Sequence, residues 1–188
     1  RWGIDPAANI KPIGSDLHII QDYFPSKKLD NLKFKVITST AMFYDLEDPN
    51  KAVQEMKKLL SKDGVICIQI SYLYDTIKDM NFYDFVHEHL EYYSLDTLLN
   101  LFKRNGLEIF DASTNSVNGG SLRIYAGYKG KHKVNKDQLA LLLYKEAIAR
   151  LLEPDTYKWF YEVVKLSAKK VRNYILSQKG LVIGLGAS

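Results

Sequence analysis

The side chains with the clearest capacity for chemistry lie in one short segment, YDFVHEHLEYYS, at positions 83–94. Two of the four histidines of the chain, His87 and His89, flank Glu88 there. Several tyrosines lie close by in the sequence, namely Tyr74, Tyr83, Tyr92 and Tyr93. A histidine can take up a proton near neutral pH, and a neighbouring carboxylate can orient its ring and support the cation that forms. The segment therefore indicates acid–base chemistry.

Two other interpretations of the same segment are open at this point. Residues two apart in an extended chain share a face, so His87 and His89 could bind a metal ion with a third ligand such as Glu91 or Asp84. The spacing differs from the zinc pattern H-E-x-x-H, because the second histidine comes too early to share a helix face. The segment could also be a simple helix entry whose side chains bond to backbone.

The elements that would position these groups alternate between strand and helix. Asp48 followed by Pro49 is a helix-start signal, and apolar residues then recur at helical spacing until a stop at 62–64. A second helix begins after Ser94 and ends at 105–106. We predict strands at 2–5, 17–24, 35–40, 65–70, 107–110 and 121–128.

The order of these elements predicts an α/β fold. Helix, glycine turn and apolar strand in succession make a βαβ unit, and the apolar run at 65–70 is typical of a parallel strand buried on both faces. The strands at 107–110 and 121–128 are joined only by a loop, so they would pair antiparallel. We therefore expect a mostly parallel sheet with an antiparallel last strand.

Three regions follow from this pattern. Residues 1–128 form the α/β core, and 129–178 form a helical connector with two helices at 136–152 and 155–178. Residues 179–188 contain GLVIGLGAS, which reads as a strand and a glycine turn that begin something new. Its lone G-x-G is weak evidence for a dinucleotide site, since no helix or later acid follows. Both ends look cut, so we expect a piece of a longer polypeptide.

A candidate adenosine site lies at two strand ends. Ligands of open α/β sheets bind at the carboxyl ends of strands. Asp5 ends the first strand and could bond a ribose diol, as an acid at that position typically does. Asp22, Tyr23 and Phe24 end the second strand, where an acid could meet an adenine amino group and an aromatic ring could stack on the base.

Composition argues against several other classes. The net charge of +4 is modest and the basic residues are mixed with acids, so we expect no nucleic-acid partner. No apolar run approaches the roughly 20 residues that span a bilayer, so we expect no membrane partner. The single cysteine, Cys67, rules out a disulfide framework and fits a reducing, cytoplasmic compartment.

The whole pattern resembles a known family. The segments WGIDPAAN, TSTAMFYDLEDP, LLSKDGVICIQISYL, HEHLEYYSLDTLLNLFKRNGLEIFD and NSVNGGSLRIYAG occur in this order. They resemble the S-adenosylmethionine-dependent C-methyltransferases that act on nucleotide-linked 4-keto deoxysugars. The resemblance covers roughly residues 2–128, and GLVIGLGAS resembles the start of that family's C-terminal Rossmann-like domain.

The resemblance implies a class I, Rossmann-like methyltransferase core with S-adenosylmethionine as cofactor, and zinc in an N-terminal domain that these residues do not include. His89 would be the general base and Glu88 an orienting or substrate-contacting partner, so the candidate catalytic set is His87, Glu88, His89 and Tyr44. No metal ligand is assigned in this chain. The substrate would be a nucleotide sugar, and the pathway deoxysugar biosynthesis.

The chemistry then asks for donors near the ketone oxygen of the sugar, where an enolate forms. Candidates for substrate contact are Tyr72, Tyr92, Asn118 and Ser121, with Tyr44 as a further donor. The glycines after Asn118 would let the backbone approach the sugar, or would make only a flexible connection. Many relatives have tyrosine where Val86 stands and histidine near Phe43-Tyr44, and both differences touch the acceptor site.

Two rival functions remain at this stage. One is a methyltransferase with a different small-molecule acceptor. The other is a catalytically silent protein that binds nucleotide sugars, which the replacements at Val86 and Tyr44 motivate. The sequence predicts neither the sugar, nor the methylated carbon, nor the oligomeric state.

Overall fold

The computed structural model describes residues 1–12 and 14–184. Over these residues the chain forms six strands and five α-helices. In chain order they are β1 Trp2–Asp5, β2 His18–Gln21, β3 Phe34–Thr40, α1 Pro49–Leu59, β4 Leu60–Ser71, α2 Leu73–Lys78, α3 Leu95–Arg104, β5 Leu107–Asn115, β6 Ser121–Tyr128, α4 Lys136–Ile148 and α5 Pro154–Ser177.

The larger sheet has four strands in the order β3-β4-β6-β5. β3 and β4 are parallel, whereas β6 runs antiparallel to both of its neighbours. The antiparallel last strand is therefore confirmed, and it inserts between β4 and β5 rather than at the sheet edge. Because β6 has two neighbours, this single reversed strand makes most pairings in the sheet antiparallel.

A second sheet consists of β1 and β2, which pair in parallel. The two sheets are separate among the described residues, because β1 pairs with β2 and β3 pairs with β4 but neither bridges to the other. A cleft of about 270 Å³ lies between them, and it is lined by residues of β1, β3 and α1. The free edges of β1 and β3 leave backbone groups there that are available for pairing.

Local signals place most helix boundaries where the sequence predicts them. The Asp48 side chain accepts from the Lys51 amide at the start of α1. Ser94 and Thr97 form a reciprocal capping box at the start of α3. The end of α1 was predicted too late, because Leu60 already pairs with Phe34 of β3.

The core lies between the four-stranded sheet and helices α1 and α3. Alternate residues of β4 are fully buried, and Cys67 and Gln69 on the other face are only partly so. The prediction that this strand is buried on both faces therefore holds for one face. Helix residues complete the core, among them Val53, Met56, Leu98 and Phe102.

Helix α4 is joined to the core by a buried carboxylate. Glu146 is 5% exposed and accepts from the Leu95 amide at 2.5 Å, the Asp96 amide at 3.1 Å and the Tyr72 hydroxyl at 2.8 Å. Burial raises the pKa of this carboxyl, and the three hydrogen bonds oppose that shift. The carboxylate thus occupies the N-terminus of α3, where unpaired amides favour a negative charge.

Helix α5 contacts the core only through its first turns. Phe160 is buried with Leu73, Ile77 and Leu151, whereas residues 168–177 are exposed. Residues 180–184 lie outside any helix or strand, so the strand predicted there is not found in this part. The rest of that prediction, residues 185–188, falls outside the described residues. No helix in the described part of the chain is long and apolar enough to cross a membrane.

Replacing Glu146 tests the importance of its contacts. We expect Glu146→Ala to lower the free energy of unfolding by about 3 kcal/mol, because it leaves buried donors without an acceptor. Glu146→Gln should cost about 1–2 kcal/mol, since an amide oxygen can still accept. Urea denaturation followed by circular dichroism measures both.

The matched comparison is Glu162→Gln, because Glu162 is an exposed residue of α5 whose partner is Lys165. It should change stability by no more than about 0.5 kcal/mol. Equal effects at positions 146 and 162 would contradict a structural role for the buried carboxylate.

Candidate active site

The histidine segment is held against the turn that follows β3. Residues Phe43–Asp45 form a single 3₁₀ turn, and the Tyr44 carbonyl accepts from both the Leu90 amide at 3.0 Å and the Glu91 amide at 3.1 Å. The His89 amide donates to the Val86 carbonyl at 3.2 Å and closes a tight turn. These bonds place His89 directly beside Tyr44.

His89 lies in a pocket of aromatic and acidic side chains. Its ring centroid is 4.1 Å from that of Tyr44 and 6.2 Å from that of Tyr92. Its Nδ1 atom is buried and faces the Asp84 carboxylate at 3.9 Å. The His89 and Asp84 side chains are 16% and 11% exposed. The structure therefore brings together a nearly buried imidazole, a carboxylate and two tyrosine rings.

Asp84 is the site residue that sequence reasoning missed, since it appeared there only as a third metal ligand. Its carboxylate accepts from the Ser71 hydroxyl at 3.3 Å, and the Thr76 hydroxyl lies 3.5 Å away while it donates to the Tyr72 carbonyl at 3.2 Å. These two donors come from the end of β4 and from α2. The one sequence signal for Asp84 is its position five residues before His89.

His87 and Glu88 are oriented differently from His89. Their side chains are 92% and 75% exposed, and they face each other at 4.0 Å. The hypothesis of a metal pair on one face is therefore wrong, because a turn at 87–88 points the two histidines apart. Within residues 1–12 and 14–184, no group of three or more His, Cys, Asp or Glu side chains is arranged to hold a metal ion.

The buried Tyr44 and the partly buried Asp45 add two further groups to the pocket. Burial raises the pKa of the Tyr44 hydroxyl, which therefore stays protonated at neutral pH and can donate a hydrogen bond. Burial also raises the pKa of the Asp45 carboxyl, and the nearby His89 opposes the shift. One Asp45 oxygen is buried without a hydrogen-bond partner among the described residues. Tyr44 thus remains a suitable hydrogen-bond donor beside His89.

Two of the predicted substrate-contacting residues are already engaged in the core. Tyr72 is 1% exposed and its hydroxyl is bonded to Glu146. Ser121 is 2% exposed and its hydroxyl donates to the Val117 carbonyl at 2.8 Å. Both predictions are corrected for the same reason: each hydroxyl is buried and holds a structural acceptor, so it cannot meet a substrate.

The other two predicted substrate-contacting residues, Tyr92 and Asn118, remain accessible to solvent. Tyr92 is half-buried and stacks on Phe85 at 4.5 Å between ring centroids. Asn118 is exposed and has a left-handed backbone conformation, with φ of 53°. Tyr92 lies at the edge of the His89 ring, whereas Asn118 belongs to the turn that precedes β6.

The glycines after Asn118 face protein rather than open space. A Cβ atom at Gly120 would overlap the Asp75 side chain, and one at Gly119 would overlap the Tyr83 hydroxyl. The Gly119 carbonyl accepts from the Asn81 side chain at 2.8 Å. The structure therefore favours neither an approach to the sugar nor a flexible connection as the role of these glycines. They let the turn pack closely against residues 75–83.

The candidate cofactor residues lie together at the ends of β1 and β2. The Asp22 amide donates to the Asp5 carbonyl at 3.2 Å, so the two acids are neighbours as expected for adjacent parallel strands. Asp5 Oδ1 accepts from the Ala7 amide, which leaves its Oδ2 atom for a ribose hydroxyl. Tyr23 is 75% exposed and can stack on a base, whereas Phe24 packs against the core.

Asp22 is more engaged than Asp5. Its carboxylate accepts from the Ser26 hydroxyl at 2.7 Å and from its neighbour's amide, and it pairs with Lys28 at 3.3 Å. The Ser26 and Lys28 contacts lower the pKa of this carboxyl. The residues present fit an adenosine group at Asp5 and Tyr23 best.

Comparison with known proteins defines the class. Residues 2–112 match the family described as methyltransferase domain, and residues 116–188 match the C-methyltransferase C-terminal domain. Since the first match covers more than half of the chain, the chain belongs to the methyltransferase domain family. Its α/β fold is that of the class I methyltransferases, as the sequence predicts.

Among curated proteins, the chain is similar to the C-methyltransferase NovU of Streptomyces niveus. The two are 25% identical over 195 residues, which cover 98% of this chain and 46% of NovU. The chain therefore spans about half the length of the curated relative that it matches.

Three solved structures support the fold. A chain of the complex between the Haloferax volcanii Trm112 methyltransferase activator and a methyltransferase aligns with a TM-score of 0.57 and 13% identity, covering 66% of this chain and 70% of that one. An S-adenosylmethionine-dependent methyltransferase from Listeria monocytogenes aligns with a TM-score of 0.52 and 10% identity, covering 68% of this chain and 79% of that one. An S-adenosylmethionine-dependent methyltransferase from Thermotoga maritima aligns with a TM-score of 0.51 and 16% identity, covering 69% of this chain and 73% of that one.

The close packing of the glycine turn can be tested by adding one methyl group. We expect Gly120→Ala to lower the free energy of unfolding by about 2–3 kcal/mol, because the new Cβ overlaps Asp75 and the φ of 131° disfavours any side chain. Thermal and urea denaturation measure the change.

Gly130→Ala separates the effect of the steric overlap from that of the positive φ. Gly130 also has a positive φ, of 72°, but a Cβ there meets nothing within 4 Å. We expect a loss of about 1 kcal/mol from backbone strain alone. Equal losses at 120 and 130 would contradict the close-packing explanation.

Proposed function

We propose that this protein is part of an S-adenosylmethionine-dependent C-methyltransferase whose acceptor is a nucleotide-linked 4-keto deoxysugar. The observation that carries the proposal is the His89 pocket: a base, a carboxylate and a protonated tyrosine within one site of a methyltransferase fold. The C-methyltransferase name of the relative NovU and the matched C-terminal family support carbon as the acceptor atom. The deoxysugar rests on the sequence resemblance.

The chemistry explains why a base is needed. A sugar carbon becomes nucleophilic only after it loses a proton, and an adjacent ketone makes that loss feasible because the charge moves to oxygen. In this proposal His89 takes the proton from the carbon, and the Tyr44 hydroxyl donates to the developing enolate oxygen. A preorganised donor in such a site contributes several kcal/mol to the rate.

Methyl transfer then requires alignment. S-adenosylmethionine supplies an electrophilic methyl group that is bound to a sulfonium sulfur. After the methyl group is transferred, that sulfur is left as a neutral thioether. The enolate carbon forms the new carbon–carbon bond as the methyl–sulfur bond breaks, and the ketone is restored. The contribution of this chain is to hold the two reactants in line and to keep the proton on His89.

The cofactor would be held in part by Asp5 and Tyr23. Asp5 Oδ2 would accept from the ribose hydroxyls, and Tyr23 would stack on adenine. We further propose that one extended strand of the larger protein, followed by a glycine-rich turn, occupies the cleft between the free edges of β1 and β3. That strand would join the two sheets and bring the turn to the cofactor, beside Asp5.

Exchange of His89 tests the reaction. In the full-length protein we expect His89→Gln to lower kcat for methyl transfer by at least about 100-fold, because general base catalysis typically contributes that much. Exchange of the sugar α-hydrogen with deuterated water, followed by NMR, should fall in parallel.

His87→Gln is the comparison variant, because that ring is exposed to solvent. Its rate should stay within about threefold of the unaltered protein, because the proposal assigns the proton transfer to His89 and not to His87. A methyl group found on oxygen would favour the other acceptor class. Absence of any hydrogen exchange in the unaltered protein would favour the silent binder and sink the proposal.

Cofactor binding can be measured separately. We expect S-adenosylhomocysteine to bind the full-length protein in calorimetric titration, and Asp5→Ala to weaken binding about tenfold or more through loss of charge-assisted hydrogen bonds. Asp155→Ala, an exposed acid of α5, is the control and should leave the affinity unchanged. No binding to the unaltered protein would exclude the methyltransferase proposal.

A further inference from the structure

We propose that Asp84 is a positioning residue that fixes the ring orientation and the tautomer of His89. In this arrangement Nδ1 carries the hydrogen and faces Asp84, so Nε2 is the nitrogen that takes the proton from the substrate. The kinetic consequence rests on the proposed function, whereas the tautomer is a property of the protein alone.

The geometry favours a hydrogen bond in which Nδ1 of His89 donates to the Asp84 carboxylate. Nδ1 of His89 lies 3.9 Å from Asp84 Oδ1, and both side chains are nearly buried. Nδ1 itself is buried and has no hydrogen-bond partner in the described part of the chain. A ring shift of about 1 Å brings the two atoms to hydrogen-bond distance. Such catalytic contacts are often long without substrate and shorten when it binds.

No other acid within the described residues is as well placed. Asp84 is the acid within 4.0 Å of a His89 ring nitrogen there, whereas Glu88 lies beside His87. Asp45 influences His89 from the turn after β3, but at a greater distance and with a raised pKa. The remaining groups that face the ring, Tyr44 and Tyr92, contact it through their aromatic faces and edges.

Asp84 is itself restrained, which a positioning residue must be. The Ser71 hydroxyl, at the end of β4, donates to Oδ1 at 3.3 Å. The Thr76 hydroxyl of α2 lies 3.5 Å from Oδ2 and also contacts the Tyr72 carbonyl at 3.2 Å. Both elements belong to the packed core, since Thr76 is 3% exposed. The line of contacts therefore runs from the sheet through Asp84 to His89.

The tautomer can be read directly by NMR. We would record long-range ¹H–¹⁵N correlations of the full-length protein, labelled with ¹⁵N-histidine, at alkaline pH where the imidazole is neutral. The His89 signals are identified by their loss in His89→Gln. We expect Nδ1 to carry the hydrogen in the unaltered protein, and the Nε2–H form to become the major one in Asp84→Ala. A wild-type His89 in the Nε2–H form would overturn the proposal without any variant.

Turnover adds a second readout. We expect Asp84→Ala to lower kcat at least tenfold with KM within twofold, and Asp84→Glu to restore part of the rate because it restores the acceptor. Asp79→Asn, at the exposed end of α2 beside Lys78, is the control. An unchanged tautomer in a folded Asp84→Ala variant would refute the positioning role. A changed tautomer in a protein that transfers no methyl group would support this inference and refute the proposed function.

Discussion

The buried carboxylate of Glu146 is the contact on which the candidate site depends. It binds the Tyr72 hydroxyl and the amides of Leu95 and Asp96, which lie at the two ends of the excursion 73–94. The Leu73 amide also donates to the Tyr93 carbonyl at 3.1 Å and closes the base of this excursion. A residue of α4 thus holds together both ends of the segment that carries Asp84 and His89.

This arrangement joins two parts of the chain that different families describe. The excursion belongs to the methyltransferase domain match, whereas Glu146 lies in the C-terminal domain match. Because the carboxylate caps α3 and bonds Tyr72, the position of His89 depends on both parts. Separating them would leave buried amides and a buried hydroxyl without an acceptor, which costs several kcal/mol.

The glycine turn before β6 supports the same segment from the other side. The contacts of Gly119 and Gly120 with Tyr83 and Asp75 leave no space for a side chain. The Gly120 carbonyl accepts from the Tyr72 amide at 3.1 Å. Tyr72 is therefore hydrogen-bonded both to this turn and to Glu146. The turn of the NSVNGG segment therefore has a structural role.

Sequence alone determined the features that depend on neighbouring residues. Ser94 and Asp48 cap the helices they were expected to cap, and the last strand is antiparallel, because capping and loop closure are local constraints. The acids at the ends of β1 and β2 are adjacent because these two strands pair in parallel, as their order along the chain predicts. Only the tertiary structure decided which side chains face the site. Tyr72 and Ser121 are polar in sequence but have buried partners, and Asp84 lies beside both His89 and the Ser71 hydroxyl. Burial and long-range hydrogen bonds are set by packing between distant segments, so they cannot be read from the neighbouring residues along the chain.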